Sequence, residues 1–162
     1  MSVGFKHHDS GYAVPAKLQK AEELLLEGVT VDHSHQVPFC AGMSDDGKTL
    51  YIDHEIPEVV GDMHILKTIV VHELVEHCLM RMAGLPYEEA HQIATAAEEA
   101  CVRANGWPMH EYNAFWDRAI RKAGSRGSYD NIPQDLDTEP YDQDDEKAEE
   151  EGKLDHGLFG HG

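Results

Sequence analysis

The run His72-Glu73-Leu74-Val75-Glu76-His77, inside the apolar stretch from Ile65 to Met82, concentrates metal-ligand chemistry in one short segment. On a helix, residues four apart share a face, so His72 and Glu76 address one point in space. Glu73 and His77 form a second such pair about 100° round. His72 and His77 are five apart, about 140° on a regular helix, and could meet at one ion only if the helix bulged or ended there. Glu76 is therefore the easier partner for His72.

A third ligand must come from another element. The following segment carries Glu88, His91, Thr95 and Glu98 at helical spacing, a polar stripe in a small and apolar context. His72, Glu76 and His91 would make the two-His, one-carboxylate set that catalytic zinc often uses; His72, His77 and Glu98 would make the same set with a distorted helix. The first needs no distortion and is preferred. Twelve His in the chain make chance neighbours common, and an i, i+4 His/Glu pair is more often a surface ion pair than a ligand pair. The apolar surroundings argue otherwise. Ile65, Leu66, Ile69, Val70, Val71, Leu74, Val75, Leu79 and Met80 imply a helix buried on most sides, where ionised groups need partners and a metal would supply them.

In order and motif, residues 49 to 104 resemble zincin-type (gluzincin-like) metallopeptidases, especially small single-domain ones such as the SprT-like and ImmA/IrrE-type proteins. Thr49 to Asp53 reads as a strand, His54 to Pro57 as a turn, and two helices follow. The chain has HExxEH where the family has HExxH, with Glu76 at the second ligand position and His77 one residue late. The resemblance implies that His72 binds the metal and that Glu73 is the general base that activates water for peptide-bond hydrolysis. It also implies one Zn²⁺, a third ligand on the second helix, and a cleft bordered by the strand before the first. A peptide or protein is then the expected substrate. His54, leaving that strand, is a further candidate for contact with substrate or metal, and His110 or Tyr112 for an oxyanion donor.

Two other classes fit parts of the pattern. Glu73, Glu76, His77, His91, Glu98 and Glu99 could form a di-metal carboxylate site, although its usual Glu-x-x-His pairs are met only by Glu88 and His91. A non-enzymatic adaptor, with a structural His/Glu cluster and an acidic tail that captures a basic partner, is the second.

The elements that must position these groups are those of a mainly helical α+β domain with a small antiparallel sheet. Pro15 to Gly28 reads as a first helix, Val29 to Val37 and Phe39 to Met43 as strands, and Ser44 to Lys48 as a hairpin turn into Thr49 to Asp53. The motif helix is expected from about Gly61-Asp62 to Gly84, the next from Pro86 to Asn105-Gly106, and a last one from Met109 to Ala123, with Tyr112, Phe115, Trp116 and Ile120 as core. Residues 1–124 are expected to form this domain. Residues 125–162, with twelve acidic against three basic residues, are expected to be a disordered tail that adds nothing to the core.

A formal net charge of −18 repels nucleic-acid phosphates and anionic membranes, and Arg118, Arg121 and Lys122 form the largest basic group, so neither is an expected partner. Cys40, Cys78 and Cys101 make no Cys-x-x-Cys pair and read as small core residues. With no signal peptide or long apolar run, the cytoplasm is the expected location.

Overall fold

The computed structural model describes residues 28–144. Most of the expected first helix, His7-His8 and the acidic run beyond Asp144 lie outside the described residues. Among the described residues, three strands, β1 (Thr30–Asp32), β2 (Ala41–Met43) and β3 (Thr49–Ile52), precede three helices, α1 (Ile65–Arg81), α2 (Tyr87–Ala104) and α3 (Met109–Gly124), and residues 139–144 are helical as well. The domain is α+β and mainly helical, as the periodicities imply.

The sheet is mixed rather than antiparallel. Its order is β1-β3-β2, with β2 antiparallel and β1 parallel to the central β3. The hairpin turn forms where Ser44 and Asp46 stand: Asp46 Oδ1 accepts from the Ser44 hydroxyl at 2.6 Å and the Lys48 amide at 2.9 Å, and Gly47 takes the left-handed conformation at φ 72°. β1 stops early because Asp32 accepts from the Ser34 amide and hydroxyl, both at 2.9 Å, a local bond that competes with the ladder. The chain then crosses over and enters β2 through Phe39 and Cys40, both left-handed.

α1 begins at Ile65, not at Gly61, because Val60 and Met63 exchange backbone hydrogen bonds of 2.9 Å around a left-handed Gly61. It ends as the Gly signal suggests, with the Ala83 amide on Cys78 O, the Leu85 amide on Leu79 O and Gly84 left-handed. Ile65, Leu66, Ile69 and Val70 enter the core, but Val71, Leu74, Val75, Leu79 and Met80 are half-buried, so the helix is less enclosed than its composition suggests. A short connection turns the chain back into α2, which packs along α1. Trp116 and Tyr112 of α3, both 0% exposed, fill the core beneath them.

The domain boundary expected at residue 124 does not hold. Residues 125–144 return to the sheet, where Leu136 bridges Ser44 in antiparallel fashion and joins the core with Tyr141. Acidic composition hid two apolar anchors and an ion pair, in which Arg81 reaches Asp137 at 2.7 Å and Glu139 at 2.8 Å. No helix among the described residues is long and apolar enough to cross a membrane.

Candidate metal centre

Two facing helices bring His72, Glu76 and His91 together. His72 and Glu76 lie one turn apart on α1, with His72 Nε2 3.2 Å from Glu76 Oε2. His91, one turn into α2, puts Nδ1 3.1 Å from the same oxygen. One ligand atom from each residue lies within 4.8 Å of both others, so the three could hold a metal ion. Atoms bound at 2.0–2.1 Å around a tetrahedral ion are about 3.3–3.4 Å apart, so the two short separations already approximate two edges of such a polyhedron.

The first histidine is locked from behind. Its Nδ1 donates to Glu98 Oε1 at 2.8 Å, and the other oxygen of Glu98 accepts from the Tyr112 hydroxyl at 2.5 Å. His72, Glu98 and Tyr112 are all 0% exposed. Glu98 thus fixes the ring and tautomer so that Nε2 faces Glu76, the carboxylate-to-histidine support common behind bound metals. Burial, then the charge and hydrogen bond of Glu98, keep the Tyr112 phenol protonated, its pKa well above the ordinary value. Tyr112 is a supporting donor to Glu98 rather than the oxyanion donor considered from sequence.

Electrostatically the site is a bowl of carboxylates. Burial disfavours the His72 cation, but hydrogen bonds and charge from Glu76 and Glu98 outweigh it and raise its pKa to about 10. Burial likewise opposes the Glu76 carboxylate, and His72 and His91 overcome it, leaving its pKa below the ordinary value. The site therefore holds positive charge strongly, and a divalent cation would take the place of the His72 proton.

Glu73, about 100° round α1 from His72, lines with ligand candidate Glu76 a cavity of about 10 Å³ whose other walls include Gly42, Met43, His77, Asp137 and Tyr141. Its Oε1 is buried with no hydrogen-bond partner. Burial, and next the charge of Glu76, raise its pKa to about 8. A carboxyl that takes and releases a proton near neutrality, beside a cation site, has the properties of a general base.

The alternative ligands go elsewhere. His77 is half-buried against the hairpin turn, its Nε2 2.7 Å from where a Cβ on Gly47 would stand, and Glu98 binds His72 directly. His54 and His110 are exposed and outside the cluster. The strand before α1 does not border the cavity: β3 is central, and β2 supplies Gly42 and Met43 to its wall. His33 and His35 are tied down outside the cluster, His33 to Ile56 O at 2.5 Å and His35 to Asp32 at 2.8 Å. Asp137 and Tyr141 are cavity residues that sequence reasoning missed; only their apolar neighbours Leu136 and Pro140 interrupt the acidic run around them.

Compared with known proteins, the chain matches no family model, no curated protein and no solved structure. Function therefore rests on the site itself.

Proposed function

We propose that this protein is a zinc-dependent hydrolase of peptide bonds. The convergence of His72 Nε2, Glu76 Oε2 and His91 Nδ1 within 4.8 Å carries the reading. Two imidazoles and one carboxylate suit zinc, and three protein ligands leave a coordination position open, as catalytic rather than structural zinc sites do.

A zinc ion held there supplies a Lewis acid that polarises a carbonyl and acidifies water. The chain's own groups do the rest. Glu98 holds His72 in the tautomer that presents a lone pair forward, and Tyr112 holds Glu98. Glu73, with one oxygen unpartnered, accepts a proton from the attacking water and passes it to the departing amine. An apolar wall that includes Met43 and Tyr141 limits competing solvation of Glu73.

A metal-free polar network is the second reading, because the three groups also satisfy one another at 3.1–3.2 Å. Against it, the unpartnered Glu73 oxygen is a cost that a purely structural cluster has no reason to keep. Replacing Glu73 with Gln separates the two. The variant should bind zinc like wild type and lose hydrolysis of an unstructured peptide library by at least about a hundredfold; undiminished turnover would remove Glu73 from the mechanism.

A further inference from the structure

The cavity beside Glu73 is too small for the substrate it would serve. At about 10 Å³ it holds at most about one water molecule, whereas ligand-binding clefts measure roughly 300–1,000 Å³. Much of what closes it is a single piece of chain. Asp137, Pro140 and Tyr141 form one wall, and all belong to the segment of residues 135–143 that follows the three helices.

Residues 135–137 lie on the outer edge of β2, the side not paired with β3, and residues 139–144 are helical. The Asp137 amide donates to Met43 O at 2.8 Å, the Asp45 amide to Asp135 O at 2.8 Å, and the Tyr141 hydroxyl to Ala41 O at 2.8 Å. Both outward carbonyls of β2 are thereby occupied. An unpaired strand edge is where an extended polypeptide would add, and here the chain fills that place itself. The fit depends on Gly42: a Cβ there would stand 2.6 Å from Tyr141 Oη and 2.8 Å from Leu136 Cδ1. At its far end, Gln143 Oε1 accepts from the Tyr87 amide at 2.7 Å, and the Tyr87 ring stacks on ligand candidate His91, 5.2 Å between centroids. The segment thus spans from the hairpin to the start of α2.

Its charge works against its position. Asp137 shares the cavity with Glu73 and Glu76, and the Asp137 and Glu76 carboxylates there are like charges that cost energy in a low-dielectric site. Arg81, from the last turn of α1, offsets it by gripping Asp137 and Glu139. The strip is held by a few backbone bonds, two apolar anchors and one arginine.

Resting on the hydrolase reading, we infer that residues 135–143 are an autoinhibitory strap: they close the cavity beside Glu73 and ligand candidate Glu76 in the resting protein and must lift from β2 before an extended peptide reaches it. The strap controls access and leaves the ligand set unchanged.

The test uses full-length protein loaded with zinc and the rate at which a chelator in excess strips the ion. Gly42→Ala wedges the strap from below. A Ser44→Cys/Leu136→Cys pair locks it when oxidised and frees it when reduced, since directly opposed antiparallel residues suit a disulfide. Stripping should be about tenfold faster in Gly42→Ala, the scale of strain that an added methyl brings to a packed contact, and at least about tenfold slower in the oxidised than in the reduced double variant. Equal rates in the oxidised and reduced forms would overturn the strap while leaving the zinc site standing. A folded wild type that takes up no zinc would overturn the hydrolase reading on which the strap rests. If Gly42→Ala does not fold, the oxidised and reduced forms of the one double variant still decide.

Discussion

Glu98 touches no candidate metal position, yet its replacement by Gln should weaken zinc binding. The carboxylate, 0% exposed, receives His72 Nδ1–H at 2.8 Å and the Tyr112 hydroxyl at 2.5 Å. Gln keeps the shape but offers one acceptor oxygen and one NH₂ group. With the amide oxygen kept on His72 Nδ1–H, the NH₂ faces the Tyr112 hydroxyl, which must turn from donor to acceptor. It also removes a negative charge that raises the basicity of His72 from behind. Losses of this kind cost roughly 10–100-fold in metal affinity, or about 1.4–2.7 kcal/mol. Tyr112→Phe is the control, because it removes the other partner of Glu98 and leaves the His72 bond in place. It should lower stability by about 1.5–3 kcal/mol, as loss of a buried hydrogen bond to a charged group does, with a much smaller change in zinc affinity. Competition against a chromophoric chelator gives the affinities, and urea melts of the metal-free proteins give the stabilities. Unchanged zinc affinity in a folded Glu98→Gln variant would refute the idea that Glu98 orients a ligand.

Leu136→Ala should destabilise the protein by about 2–4 kcal/mol in urea melts, since Leu136 is a core residue; a loss below about 0.5 kcal/mol would mark a surface position and return residues 125–144 to tail status. Arg126 bonds Asp53 at 2.7 Å and 3.3 Å. Burial opposes the Asp53 charge, but Arg126 and the amides of Val37 and Glu55 outweigh it and hold its pKa below the usual carboxylate range. The resulting stability is present above the unfolded pKa of about 3.9 and is lost as pH falls through the lower folded value. Arg126→Ala should therefore move acid unfolding to higher pH and, because the pair is partly exposed and Asp53 keeps its two amide donors, cost roughly 1–3 kcal/mol. Coincident acid-unfolding curves for the variant and wild type would show that the pair contributes nothing.

The pattern that local geometry controls was legible in the sequence. His72 and Glu76 meet because they are one helical turn apart, and His91 joins them because Gly84 and Pro86 fold the second helix directly back on the first. Glu98 was visible as a member of the same stripe as His91. Its role behind His72 was not, because a ligand and the carboxylate supporting a ligand have the same spacing and differ only in depth. The parallel partnership of β1 and β3 was missed because two short strands separated by a hairpin carry no pairing signal in their composition. The return of the chain was hidden for another reason: Tyr141 reaches Ala41 across a hundred residues, and two anchors within an acidic run leave its average polarity unchanged. His54 misled because a histidine leaving a strand toward the motif helix borders the cavity only if that strand lies beside it, and β3 is central.

All of this depends on whether His72, Glu76 and His91 hold an ion. Elemental mass spectrometry on the full-length protein, purified without added metal and compared with His72→Ala, tests that most directly. One zinc per chain in wild type, lost in a variant that remains folded by circular dichroism, is the predicted result. A folded wild type without metal, or a His72→Ala variant that keeps its zinc, would contradict it.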